Sequence, residues 1–288
     1  MTDWTRDTRL VRAFRPDPAA DRDPAAAGAW PATVPAAAQL LRDGLELAPG
    51  ITVLVGENGS GKSTVVEMLA EAYGLNPQGG SIQAPAARVR ASEPHAGHRL
   101  AVERGAVGRS AWAYFLRADT MHSLYTYLEE NPSSRNPPEL LHELSHGQGF
   151  LQILRTRVNQ RGFYLLDEPD APLSFVSCLS LVALLHELAE AGSQVIVATH
   201  SPLVAAVPGA AIRELGDWGI RPARWDELEI VQSWRLFLNR PDRFLHYLLA
   251  SDADLPGGTL FLAQHGERPG PPQQLVQHRG RRCVQQLG

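Results

Sequence analysis

The stretch Ile51-Thr52-Val53-Leu54-Val55-Gly56-Glu57-Asn58-Gly59-Ser60-Gly61-Lys62-Ser63-Thr64 decides how this chain folds. Its first five residues form a compact apolar, β-branched run that reads as a buried strand. From Ser63 to Tyr73, apolar residues at Val65, Val66, Leu69 and Tyr73 recur at helical spacing, and Gly74 supplies a stop signal. Between strand and helix, Gly56 to Ser63 fits G-x-x-x-x-G-K-[ST], a pattern that becomes a phosphate site in this context. The glycines let backbone N–H groups approach phosphate oxygens at the helix N-terminus. Lys62 is expected to face solvent and reach the β- and γ-phosphates, the Ser63 hydroxyl can ligate Mg²⁺, and Thr64 continues the first turn. An ordinary glycine-rich turn is the competing structural explanation.

Composition bounds what surrounds this loop. The chain has 288 residues, 44% of them apolar, enough for a large core without staples. Two distant cysteines, Cys178 and Cys283, give neither a zinc pattern nor a disulfide framework, and fit a reducing, cytoplasmic setting. Apolar runs fall short of the roughly 20 residues of a membrane span, so no span of its own is expected. The N-terminus has no apolar signal region. A net charge of −4 disfavours a globally basic nucleic-acid binder.

Two further strand ends carry polar chemistry. Phe163-Tyr164-Leu165-Leu166-Asp167-Glu168 is a core-type strand ending in two carboxylates, whose side chains point in different directions. Asp167 is expected to hold Mg²⁺, and Glu168 to polarise an attacking water as general base. A solvated acidic turn is the plain structural alternative. Val195 to Thr199 is another apolar strand, ending at His200. With one helix between them, the ends at Glu168 and His200 can share one rim of a sheet, where His200 could donate to a γ-phosphate and orient the water.

Strands alternating with helices predict an α/β fold with a mostly parallel sheet. A first strand is expected near Thr8 to Phe14, a loop over 16–38, a strand from Trp112 to Leu116 and helices over Ser177 to Ala191, Glu227 to Leu238 and Asp242 to Leu249. A helical or irregular insertion covers about 76–160. Residues 1–250 form the main domain, and 251–288, rich in Gly, Pro, Gln and Arg, a loosely ordered tail. Its cluster Arg279-Gly280-Arg281-Arg282 leaves contact with nucleic acid open.

Leu144-Ser145-His146-Gly147-Gln148 lies between the phosphate loop and the acidic strand and differs at one position from Leu-Ser-Gly-Gly-Gln. With that pentapeptide, the phosphate loop, Leu165-Leu166-Asp167-Glu168-Pro169 and His200 standing in the family's order, the chain resembles the ABC-type ATPases. Within them it looks most like the small soluble bacterial ATPases labelled AAA-family, near the SMC-like and RecF-like branch. The resemblance implies a P-loop NTPase fold with a small helical subdomain carrying the signature. It also implies ATP and Mg²⁺ as ligands, and a homodimer in which Ser145 and Gly147 of one copy meet the γ-phosphate held by the other. Lys62, Glu168 and His200 would be catalytic. Three departures accompany it. No glutamine stands near Phe115 to Asp119 for a Q-loop, Ser174 occupies the D-loop aspartate position, and Trp30 is the nearest candidate for stacking on adenine.

The resemblance therefore implies an ATP hydrolase acting with an unknown protein partner. Its alternatives are the nucleotide-binding subunit of a transporter and a nucleotide-controlled nucleic-acid clamp. Too few residues lie between Lys62 and Ser145 for long coiled-coil arms, which trims the clamp.

Overall fold

The computed structural model describes residues 8–20, 29–81, 96–106, 112–118, 146–242 and 245. Contacts group the chain into two compact units, Met1–Trp234 and Arg235–Gly288.

The first unit is built on a seven-stranded sheet. Its strands are β3 (Ile51–Val55), β4 (Gly80–Ser81), β6 (Trp112–Arg117), β7 (Gly162–Asp167), β8 (Gln194–Thr199), β9 (Ala211–Gly216) and β10 (Gly219–Pro222), in the order β10-β9-β3-β8-β7-β6-β4. The five central strands pair in parallel, and only β4 and β10 at the edges run antiparallel. β3, β7 and β8 are buried along their whole length, as expected for parallel strands covered on both faces.

Alternation divides each strand between two cores. Leu54, Phe115, Phe163, Leu165 and Ile196 face one side, where α1 (Pro35–Asp43) and α2 (Lys62–Tyr73) pack. Val53, Val55, Tyr164, Leu166, Val195 and Val197 face the other, against α3 (His146–Arg157) and α4 (Phe175–Glu190).

A second, three-stranded antiparallel sheet has β1 (Val11–Pro16) between β2 (Leu45–Glu46) and β5 (Leu100–Arg104). It is joined to the central sheet by the buried side chain of Gln194. That amide accepts from Leu10 N and Val11 N at 2.7 and 2.8 Å and donates to Val11 O and Ala48 O at 2.9 and 2.8 Å, satisfying all four of its positions.

Several expectations shift. Residues 35–38, expected in a loop, begin α1: Pro35 is preorganised for a first turn, and the alanines that follow bury Ala36 and Ala37. β5 lies in a stretch with little periodicity, since its burial comes from an antiparallel partner. The β9–β10 hairpin is an addition, and the first strand starts at Val11. Helix α4 starts at Phe175, because Ser174 caps it by accepting from Ser177 N at 3.3 Å. Helix α5 (Glu229–Asn239) starts after a short 3₁₀ turn at Trp225–Glu227 and buries Val231. In the second unit, Arg240 pairs with Asp242 at 3.8 Å. Ser145, most of the helix expected over Asp242 to Leu249 and the expected tail lie outside the described residues, as does most of the helical subdomain.

Candidate functional site

β3, β7 and β8 are parallel neighbours, so their carboxyl ends share one rim. Val55 stands opposite Thr199, and Asp167 opposite Ala198. Ligands of open α/β sheets bind outside that rim, and the sequence places the phosphate loop, the acidic pair and His200 there.

The loop turns at two glycines that have no room for a side chain. A Cβ on Gly56 would lie 2.5 Å from both the Leu215 carbonyl oxygen and Ser60 Oγ. Gly61 caps α2 with φ 91°, and a Cβ there would also collide with Val34. Lys62, Ser63 and Thr64 form the first turn of α2, whose N–H groups have no intrahelical acceptor; that pattern of bonds begins with Val65 N to Gly61 O at 2.9 Å. Glu57, Asn58 and Gly59 are exposed at the tip. Ser60 Oγ is buried and without a hydrogen-bond partner among the described residues.

Lys62 departs from the expected solvent-facing position: it is 4% exposed. Its Nζ donates to Gly56 O at 2.9 Å and Glu57 O at 3.0 Å. Burial pushes its pKa down, and the nearby carboxylates of Glu168, Asp167, Asp170 and Glu57 work against that. The ammonium is therefore held inside the loop by carbonyls, facing four acids.

Across the rim, Ser63 Oγ donates to Asp167 Oδ1 at 3.2 Å. Burial raises the Asp167 carboxyl to about 6, opposed by the Ser63 bond and by Arg117. Arg117, at the end of β6, stands opposite Asp167, bonds Glu67 and donates to Pro77 O at 3.1 Å. A bound arginine thus occupies the end of the strand where the family's glutamine was sought.

Glu168 is the only non-glycine among the described residues with positive φ, at 50°. Its N–H donates to Ala198 O at 2.9 Å, extending the β7–β8 ladder while the chain turns left-handed. The carboxylate lies 3.4 Å from His200 Nδ1, within ion-pair range. That nitrogen is nevertheless buried without a hydrogen bond. Beneath this pair, Thr199 Oγ1 donates to Asp170 Oδ1 at 2.6 Å and accepts from Ser201 N at 2.9 Å. Asp170 is 8% exposed, and burial raises its pKa against the Thr199 bond.

The rim thus brings together Gly56 to Thr64, Asp167, Glu168 and His200. Gly147 lies in the first turn of α3. Trp30 is 45% exposed. Asp170, Thr199 and Arg117 escaped the sequence reading. Their signal was an acid soon after Asp167-Glu168, a threonine directly before His200 and a cation ending an apolar strand.

Mg²⁺ fits this chemistry. Among the described residues no group of three or more His, Cys, Asp or Glu side chains could hold a metal alone. Ser63 and Asp167 offer the one or two oxygens that Mg²⁺ takes from protein when phosphate and water supply the rest. A glycine cradle, helix N–H groups and an unpartnered Ser60 hydroxyl suit a polyphosphate. Among the described residues no helix is long and apolar enough to cross a membrane.

The family described as ABC transporter matches residues 44–171. The ribose import ATP-binding protein RbsA 1 of Burkholderia cenocepacia (strain HI2424) is 29% identical over 192 residues, covering 58% of this chain. Its counterpart in Burkholderia orbicola (strain AU 1054) matches equally. The chain spans 37% of the length of these curated relatives. Among solved structures, the SMC head domain from Thermotoga maritima matches with TM-score 0.41 and 18% identity over 63% of this chain and 93% of that one. The protein cbiO1 from Clostridium perfringens, part of the ABC transporter complex cbiONQ, matches with TM-score 0.40 and 15% identity over 72% and 90%. On its motifs and these sequence matches, the chain is similar to the ABC-type ATPases of the P-loop superfamily, the family match running over residues 44–171.

Proposed function

We propose that this protein binds and hydrolyses ATP in the cytoplasm as a homodimer, and passes the resulting change of state to a partner protein. The observation that carries the reading is the shared rim. Lys62 and the first turn of α2 stand beside Ser63–Asp167, with Glu168 and His200 3.4 Å apart. Gly56 to Thr64 would bind the phosphates, with Lys62 exchanging its carbonyl partners for phosphate oxygens. Ser63 and Asp167 would hold Mg²⁺, which when bound neutralises phosphate charge. Glu168 holds the attacking water and accepts its proton at the carboxylate, while His200 fixes the direction of attack. Ser145 and Gly147 would complete the site of the other copy.

Glu168→Gln keeps the size of the side chain but cannot take the proton, so turnover should fall by about 10²–10⁴-fold with binding retained. The test is size-exclusion chromatography with light scattering of that variant with Mg-ATP, with Mg-ADP and without nucleotide. A dimer only with Mg-ATP supports the two-copy site. A monomer throughout, with hydrolysis lost, rejects the dimer and keeps the general base.

A second reading, the nucleotide-binding subunit of an importer, is supported by the two Burkholderia relatives, which are ribose import ATP-binding proteins. Co-purification of the ATP-trapped chain with a polytopic membrane protein would favour it, whereas DNA-stimulated turnover would favour a nucleic-acid clamp.

A further inference from the structure

His200 is oriented from behind. Its Nδ1 lies 3.4 Å from the Glu168 carboxylate but makes no hydrogen bond among the described residues, so no hydrogen bond at that nitrogen fixes the ring's direction. The backbone on either side is fixed instead. Thr199 precedes the histidine and Ser201 follows it, and one hydroxyl ties both: Thr199 Oγ1 accepts from Ser201 N at 2.9 Å and donates to Asp170 Oδ1 at 2.6 Å. The next residues are held as well, by Leu203 N to Ser201 Oγ at 3.3 Å and Trp225 Nε1 to Pro202 O at 2.8 Å. Asp170 belongs to the turn that leaves Glu168, where Ala171 N donates to Glu168 O at 3.0 Å. The buried Asp170–Thr199 bond thus clasps the turn after the general base to the turn carrying the histidine. A buried carboxylate is costly for the fold, and a site that needs a fixed angle between two groups is a place where such a cost is tolerated.

We propose that Asp170 and Thr199 are positioning residues for ATP turnover, setting the direction of the His200 ring relative to Glu168 without touching substrate. The inference rests on the hydrolysis reading above.

The experiment compares Thr199→Val, Thr199→Ser and Asp170→Ala with wild type in steady-state Mg-ATP hydrolysis, alone and in a His200→Ala background. Thr199→Val and Asp170→Ala should lower kcat about 10–100-fold, the scale of a small misplacement, with KM changed less than about twofold. Thr199→Ser, which keeps the hydroxyl, should restore kcat to within about threefold of wild type. In the His200→Ala background, Thr199→Val should cost less than about a further twofold, because its route to the chemistry is already gone. Full additivity in that background overturns the inference, as does wild-type kcat in Thr199→Val or failure of serine to rescue. If Glu168→Gln abolishes turnover and His200→Ala does not, hydrolysis stands and the positioning role falls. If wild type hydrolyses no ATP, the functional reading fails, and histidine-selective NMR of the nucleotide-free chain decides the clasp. The ring signal lost in His200→Ala should move or split in Thr199→Val and stay in place in Thr199→Ser; an unmoved signal in Thr199→Val overturns it.

Discussion

Ser63 and Asp167, 104 residues apart in the chain, are joined by a hydrogen bond of 3.2 Å from hydroxyl to carboxylate. The oxygens proposed for the metal thus already hold one another. Burial raises the Asp167 pKa from 3.8 to about 6. An acid raised in the folded state destabilises the fold once ionised. The destabilisation is absent below about 3.8, grows as pH rises to about 6, and is complete above it.

Asp167→Asn therefore stabilises the nucleotide-free protein at pH 7–8, by about 1–3 kcal/mol. Asn Oδ1 can still accept from Ser63. The gain should fade towards pH 4, and Mg²⁺-dependent nucleotide binding should weaken most above about pH 6, where the wild-type carboxyl is ionised. Denaturant unfolding at pH 4, 6 and 8 measures this; a pH-independent difference contradicts the buried-acid explanation.

Lys62→Ala should reduce ATP affinity by about tenfold or more while changing stability by no more than about 1–2 kcal/mol. Removing the ammonium takes a donor from the carbonyls of Gly56 and Glu57, the latter keeping its bond from Ser60 N at 3.1 Å, but also relieves a buried charge. Calorimetric titration with Mg-ATP alongside thermal melting separates the two effects. Unchanged affinity would remove Lys62 from the phosphate site.

Glu168→Gly and Glu168→Ala should both stop turnover, yet differ in stability. At φ 50° glycine is at ease and alanine is strained. The glycine variant should be the more stable by about 1 kcal/mol, after its larger unfolded-state entropy is counted. Equal midpoints in urea would mean that the left-handed turn stores no strain.

Gln194→Leu strands Leu10 N, Val11 N, Val11 O and Ala48 O. A loss of about 3–5 kcal/mol is expected, with faster amide hydrogen exchange at Leu10 and Val11. A loss below about 1 kcal/mol would mean that the two sheets are held together by apolar packing alone.

The central architecture was legible because parallel strands buried on both faces are written as apolar runs. Ile51 to Val55, Phe163 to Leu166 and Val195 to Thr199 declare themselves; the first runs into the glycine loop and the other two end at polar residues of the rim. What was not legible depends on partners distant in sequence. β5 is recognisable only beside β1, and α1 follows from Pro35 acting as a helix start in a stretch that composition marks as loop. Lys62 was expected in solvent because a charged residue after a glycine turn gives no sign that carbonyls of that same turn will enclose it. Asp170 and Thr199 are unremarkable letters until β7 and β8 lie side by side.

The fit of Leu215 O against Gly56 has a consequence for biosynthesis. The phosphate loop leaves the ribosome early, but β8 and β9, which flank β3 on both sides, emerge much later, and the Leu215 wall comes with β9. Pairing between strands so distant is slow to form. A nascent chain that ends before β9 carries the complete glycine motif without the carbonyl that packs against Gly56, so the loop's surroundings are finished by the closing of the sheet and not by the synthesis of the motif.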